Sequence, residues 1–537
     1  MARARLEQLA KAEYDLLIIG GGINGAGAAR DAALRGLKVL LVEQADWASG
    51  TSSRSTKLVH GGLRYLEQAA LGLVHEACGE RRLLSTHLAP HLVRPQPFLI
   101  PIYRGDHRGP WQVRAGLWLY DLLASFRNVH NHRMISRAAA LKLEPSLEPK
   151  GLKAAALYWD CAMNDARLVL ENVLAAREAG ASCLNYCCLR SVQASALGAI
   201  HVVLRDEEAG VEAAVRAKML LNAAGPWADE VLGLAAPGAA PLVRKAKGIH
   251  LITRPLTGER ALLISAQQDG RAFFVIPWAL EGRPASLVGT TDTDFSGDLS
   301  HLRAEEDEVS YLLAEAARVL PGAGLKRKDV WATYAGVRPL AAFGADPAHP
   351  SAHSREALLR WDGGVLSMSG GKFTTYRSLA AKAVDACVAA QGAKPAPCLT
   401  AKLPLPGAPE QGVGALASSL AQAHSLPLPI AQHLAENYGR LAQPLLEAGR
   451  RHKGLLDPID PALPAILAQA DWACRHEDAR HLPDFFLRRS FLGLVLAPDH
   501  PGALKVAEVM ARCLGWGEER LMQEVADLKK VVVGEYR

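Results

Sequence analysis

Short apolar runs alternate with glycine-rich and polar stretches through most of this chain, which predicts buried strands joined by turns and helices. The first two runs, residues 16–19 and 38–42, flank the alanine- and glycine-rich segment INGAGAARDAALRG, so residues 14–43 predict a strand, a glycine turn, a helix and a second strand ending in Glu43. Residues 219–223 and 363–368 read as further buried strands running into NAAGPW and SGGK turns, the second leading to a helix over 374–390. Both are expected to return to the sheet begun by the first two. Between them GIHLIT, ALLIS, AFFVIPW and SLVGTTD predict the sheet of a second domain over about 241–335. A proline-rich linker, KPAPCLTAKLPLPGAP at 394–409, marks a boundary, and 410–537 carries only helix-like Leu and Ala patterns. No internal repeat is present.

The first unit has the plan of a dinucleotide-binding βαβ element. Gly20 permits a tight turn, Gly22 lets a pyrophosphate approach the backbone, Gly25 lets the helix pack closely, and Glu43 is placed to accept from a ribose diol. The helix N-terminus offers free N–H groups to the pyrophosphate. The next segment, WASGTSSRSTKLVHGGLRYLEQ at 47–68, has no helical or strand period. Its Ser49, Thr51, Ser52, Ser53, Ser55, Thr56, Lys57 and the pair Gly61-Gly62 supply short donors along an extended cofactor, which suits FAD better than NAD.

These segments, with DARLVLENV at 165–173, NAAGPWAD at 222–229, KGIHLI at 247–252, GTTDTDFSGD at 289–298, YAGVRPL at 334–340, SGGKFTTYR at 369–377 and DFFLRRSFLGL at 484–494, resemble the bacterial aerobic, FAD-dependent glycerol-3-phosphate dehydrogenases in the same order along the chain. The resemblance implies an α/β fold of D-amino-acid-oxidase type. A Rossmann-like FAD-binding domain (segments about 13–95, 155–240 and 335–398) would be interleaved with a mixed-sheet substrate domain (about 241–335), and 399–537 would form an all-α C-terminal domain. It implies non-covalent FAD held also by Ile23, Asn24, Gln44, His60, Ala224, Gly225, Gly371, Lys372, Phe373 and Thr374, and a substrate pocket with Tyr65 and Thr375 close by. It further implies oxidation of sn-glycerol 3-phosphate to dihydroxyacetone phosphate, electrons passing to membrane quinone, and peripheral contact with the inner face of the cytoplasmic membrane.

Composition narrows the rest only slightly. At 537 residues, 49% hydrophobic and 22% charged, the chain suits a folded protein of two or three domains. The start MARARLEQLAKAEYD lacks the apolar core of a signal peptide, no run is long enough to span a membrane, and a cytoplasmic location is expected. Nine scattered cysteines without a CxxC predict reduced thiols. A net charge of +6 favours anionic partners without choosing among them, and a homodimer is left open. Pro90 interrupts the spacing of His87 and His91, so no metal site is expected, and LRRS and RRHK are too short for a nucleic-acid stripe.

A phosphate monoester needs two or more fixed cations. Arg64, Arg338 and Lys372 each sit beside rigidifying glycine or proline residues, and Arg338 in GVRPL is the strongest candidate. Alcohol oxidation also needs a proton acceptor; His250 on a substrate-domain strand is preferred, with His60 as its competitor. A glycerol-3-phosphate oxidase using oxygen, an amine or amino-acid oxidase, and a non-catalytic flavin binder remain as alternatives. Residues 110–127, PWQVRAGLWLYDLLASFR, mix aromatics with Arg114 and Arg127 as an interface segment would, but Trp111, Ala115, Trp118 and Leu122 share one helical face. That face is expected to pack into the core.

Overall fold

The computed structural model describes residues 3–194, 199–342 and 357–537. Its nucleotide-binding sheet has six strands in the order 358–362, 365–369, 220–222, 16–19, 39–42 and 182–184. All its pairs are parallel except the 358–362/365–369 hairpin. Leu16–Ile19 and Val39–Val42 are buried at every position because both faces are covered. Leu16, Ile18, Val39 and Leu41 pack with the helices Ile23–Leu34, Asp165–Glu178 and Tyr376–Ala390. Leu17, Ile19, Leu40 and Val42 pack on the opposite side with a small sheet formed mainly by 187–194, 200–206 and 211–217. The expected helix over 374–390 begins at Tyr376, after a 3-10 turn Phe373–Thr375.

The second sheet is wider than the 241–335 span expected for it. Strands Val93–Tyr103, Leu152–Met163 and Leu58–Val59 join Val243–Thr253, Ala261–Ser265, Ala272–Leu280 and Arg283–Gly289 in it, and Val330–Ala341 pairs along 243–253. The chain therefore passes between the two sheets repeatedly. One face packs Leu251, Val288 and Val337 on the helix Glu306–Val319, through Val309 and Leu312. The other packs Ile252, Leu287 and Tyr334 into a core shared with Phe485, Phe486 and Leu492 of the C-terminal helices. Part of the segment expected at 335–398, residues 343–356, lies outside the described residues.

The expectation for 110–127 is corrected. The helix Pro110–Leu123 buries Leu117, Tyr120 and Asp121, while Trp111, Trp118 and Leu122 are 74%, 55% and 50% exposed. Polar anchors set its rotation. Tyr120 Oη accepts from Gly61 N and donates to Asp160 Oδ1, and the Asp121 carboxylate accepts from Asn128 and from His132 N. Turning the apolar face inward would strand these buried groups, a larger loss than the burial of the indoles would recover.

The C-terminal helices are joined to the nucleotide domain largely by buried charge. Asp46 accepts from both Arg488 and Arg489, Trp47 Nε1 donates to Asp478 at 2.9 Å, and Arg167 meets Glu477 at 2.8 and 3.0 Å with both side chains fully buried. Removing one member of such a pair leaves a buried charge uncompensated and costs about 3–5 kcal/mol. His481 bridges Glu208 at 3.0 Å and Glu524 at 2.8 Å. Burial alone would lower its pKa, but the two carboxylates outweigh burial and raise it to about 10. Because this folded value lies above the ordinary 6.5, the stabilisation is complete below 6.5 and disappears as pH rises towards 10. Melting temperature measured across that window should fall more steeply for the parent protein than for His481→Gln; parallel curves would show that the bridge carries no pH dependence.

Candidate active site

The glycine turn is shaped by contacts that no side chain would fit. Gly20 has φ +111°, and a Cβ on Gly25 would lie 1.9 Å from the Gly20 carbonyl oxygen, so helix and strand touch through backbone. Gly22 caps the Ile23–Leu34 helix, and Ser52 Oγ accepts from Ile23 N at 3.0 Å, which brings the hydroxyl-rich loop over the helix N-terminus. Glu43 accepts from Gly21 N at 2.6 Å and Ala45 N at 2.9 Å. Burial pushes its pKa up and the two N–H groups oppose the shift. The carboxylate thus fixes the turn, with lone pairs left over for a ribose.

A cavity of about 480 Å³ runs from this turn to the second sheet. Gly20, Gly22, Ile23, Asn24, Glu43, Gln44 and Ser52 line it around the turn, and Thr56, His60, Tyr65, Ala224, Gly225, His250, Arg338, Gly371, Lys372, Phe373 and Thr374 also line it. Others singled out from sequence support the cavity without lining it. Gly25 sits behind the turn, and Thr375 is buried with its N–H on Lys372 O. Gly61 N donates to Tyr120 and Asp160, and Gly62, at φ +78°, lies against the Tyr65 ring. Arg64 lies on the 3-10 turn Leu63–Gln68, beside the lining residue Tyr65. Lys57 turns away from the cavity: its ammonium pairs with Asp165 at 2.7 Å, donates to Ser53 O and sits 4.6 Å from the Phe491 ring centre. Sequence reasoning missed Arg54, Trp227, Phe274 and Leu340, which also line the cavity and carry no spacing signal.

At the second-sheet end three neighbouring strands leave room through glycine. Gly248 pairs in register with Gly336 and His250 with Gly289, and a Cβ on Gly289 would be 2.3 Å from the His250 ring. Arg338 NH2 donates to Thr290 Oγ1 and NH1 to Asp292 Oδ1, both at 3.0 Å. Lys372 Nζ lies 3.2 Å from the Tyr65 ring centre. His250 is stacked on Tyr334, and its Nε2 is 2.9 Å from Thr56 Oγ1. Burial first, then the charges of Arg338 and Lys57, hold its pKa well below 6.5, so the imidazole is neutral at pH 7. Among the described residues no His, Cys, Asp or Glu cluster has the makings of a metal site.

A glycine-turn nucleotide site opening onto cations and a neutral imidazole on a second sheet defines a flavin-dependent oxidoreductase. The sequence profile of FAD dependent oxidoreductases matches residues 15–393, and that of the C-terminal domain of alpha-glycerophosphate oxidase matches 398–521. A glycerol-3-phosphate dehydrogenase of Synechocystis is 39% identical over 533 residues, covering 95% of each chain. The crystal structure of the Bacillus halodurans glycerol-3-phosphate dehydrogenase complexed with FAD is similar at a TM-score of 0.79 and 29% identity, covering 99% of this chain and 96% of that one. The L-alpha-glycerophosphate oxidase of Mycoplasma pneumoniae shares the fold at a TM-score of 0.56 and 18% identity, covering 74% of this chain and 99% of that one. The chain belongs to the FAD-dependent glycerol-3-phosphate dehydrogenase family.

The glycine contacts fit the pyrophosphate of FAD, since Gly20, Gly22 and Ile23 line the cavity at the helix N-terminus and a Cβ on Gly22 would press on Ser52 Oγ at 3.1 Å. Denaturation of the purified protein should release FAD, and Gly25→Ala, which forces a methyl against backbone, should purify without flavin. A yellow Gly25→Ala protein with parent absorbance would show that the turn tolerates what its geometry forbids.

Proposed function

We propose that this protein oxidises sn-glycerol 3-phosphate to dihydroxyacetone phosphate and passes the electrons to a membrane quinone. The observation that carries the substrate reading is that Arg338, Lys372 and a neutral His250 line the same cavity, with Arg338 close enough to His250 to depress its pKa. Arg338 and Lys372 supply the two cations that a phosphate dianion requires and a single carboxylate does not, which favours this substrate over an amino acid. FAD, if held by the glycine turn and the hydroxyl-rich loop, would supply the acceptor for the C2 hydride. His250 is the reservoir for the hydroxyl proton, reached through the Thr56 hydroxyl that faces the cavity. Fixing the phosphate sets the position of C2, so the clamp acts on turnover as well as on binding.

Adding glycerol 3-phosphate without oxygen should bleach the flavin, and a quinone analogue should restore its colour faster than air does. Faster recovery in air would make the protein an oxidase, the activity carried by the name of its Mycoplasma pneumoniae fold relative. No bleaching would remove the substrate assignment. Arg338→Lys should lower kcat/KM by about ten- to a hundred-fold with FAD retained, because a point charge replaces a fork. Unchanged kinetics would take Arg338 out of the site.

Membrane contact is supported by the outward face of the 110–123 helix. Trp111, Trp118 and Leu122, with Phe126 at 47% and Val129 at 42% exposure, form an apolar patch beside Arg114 and Arg127. Indole and guanidinium side by side suit an anionic lipid interface. Among the described residues no helix is long and apolar enough to cross a bilayer. Binding to vesicles containing anionic lipid should weaken about a hundredfold or more on Trp111→Ser/Trp118→Ser, since two buried indoles at ~2 kcal/mol each contribute ~4 kcal/mol. Equal sedimentation of parent and variant would move the contact elsewhere.

A further inference from the structure

Arg338, which lines the cavity, is paired with a carboxylate that an anion pocket has no electrostatic use for. Asp292 Oδ1 lies 3.0 Å from Arg338 NH1. A negative charge beside a phosphate site repels the ligand and draws off part of the guanidinium's field. Its surroundings show what it does instead. Arg338 NH2 donates to Thr290 Oγ1 at 3.0 Å, and both terminal nitrogens lie 3.3 Å from Thr291 O. That turn is itself fixed: Thr291 Oγ1 accepts from Ile249 N at 3.0 Å, and Asp292 O accepts from Arg271 NH1 at 2.7 Å. The guanidinium lies against Gly248, where a Cβ would be 2.5 Å from NH2, so the fork occupies space that a side chain there would fill. An arginine on its long stem would otherwise be ordered only when the ligand binds, at the expense of affinity and of alignment.

We propose that Asp292 is a positioning residue, whose carboxylate holds the Arg338 fork in the orientation that meets the substrate phosphate, so that the clamp is formed before the ligand arrives. The proposal rests on the reading of Arg338 as the phosphate clamp. It makes the dipeptide Thr291-Asp292 part of the substrate machinery although Asp292 repels the substrate. It also explains why an acid is tolerated there, since the ordering it provides acts on every turnover and its repulsion is reduced by the pairing with Arg338.

The test is a double-mutant cycle on FAD-loaded protein, read as kcat and KM for glycerol 3-phosphate and as binding of inorganic phosphate monitored through the flavin absorbance spectrum. Asp292→Ala should lower kcat/KM by about ten- to a hundred-fold, with kcat falling along with the rise in KM, and weaken inorganic phosphate binding. Asp292→Asn, which keeps an oxygen acceptor, should recover a large part of the loss. In an Arg338→Lys background Asp292→Ala should cost less than about threefold, because the fork it positions is gone. Additive effects of the two substitutions, unchanged kinetics in Asp292→Ala, or tighter phosphate binding would overturn the proposal; the last would make Asp292 a competitor of the substrate. Should Asp292→Ala fail to hold FAD, the cycle with Asp292→Ser, whose shorter side chain also removes the carboxylate from the fork, reads the same coupling, and additivity there overturns the proposal equally. An Arg338→Lys enzyme with parent kinetics would instead remove the clamp itself, a failure distinct from additivity.

Discussion

One buried carboxylate, Asp46, fixes the relation between the nucleotide site and the C-terminal helices. It lies three residues beyond Glu43 and is bound by two guanidiniums from one C-terminal turn, Arg488 and Arg489. Burial acts to raise its pKa, and the two arginines outweigh that and hold it below the usual carboxylate value. The next residue, Trp47, lies against Gly21, where a Cβ would be 2.4 Å from the ring. The same short stretch therefore supports the glycine turn from below and ties it to the helical domain from behind. An apolar replacement of similar volume can match such an arrangement in stability, but would not define the loop's position through directional bonds.

At the other end of the cavity the organising constraint is room. Three strands of one sheet set Gly248 opposite Gly336 and Gly289 opposite His250 two residues on, and a side chain at Gly248, Gly289 or Gly336 would strike Arg338, His250 or the Arg54 backbone respectively. Strand glycines weaken a sheet, so their cluster marks where backbone must give way to function. The charged groups there are held by several partners each. The imidazole, by contrast, is kept neutral by burial and by the cations around it. One local field thus acts on both groups, with the Arg338 charge depressing the basicity of His250.

The βαβ unit was legible because every feature of it is local: apolar runs buried on both faces, a turn that admits only glycine, and an acid at the strand end. The breadth of the second sheet was not. Its strand Val93–Tyr103 carries Pro95, Pro97 and Pro101, residues that are poor signals of a strand inside a sheet. They are tolerated because the parallel neighbour 261–265 pairs only at Phe98 and Leu99. Arg338 could be picked out by its flanking glycine and proline, whereas the direction of Lys57 depended on Asp165, which is remote in sequence and invisible to spacing. The outward face of the 110–123 helix was misjudged for a related reason. Apolar periodicity locates a face, but the buried hydrogen bonds of Tyr120 and Asp121 decide which way it turns.

The repeated passage of the chain between two sheets has a consequence for how the protein is made. Strands 16–19 and 39–42 leave the ribosome early, yet their sheet awaits 220–222 and 365–369, and the loop after Glu43 awaits Arg488 and Arg489. A nascent chain therefore presents a half-built nucleotide sheet for most of its synthesis. Firm capture of the flavin waits until Arg488 and Arg489 have emerged, when the folding of the helices that carry them and the uptake of the cofactor reinforce one another.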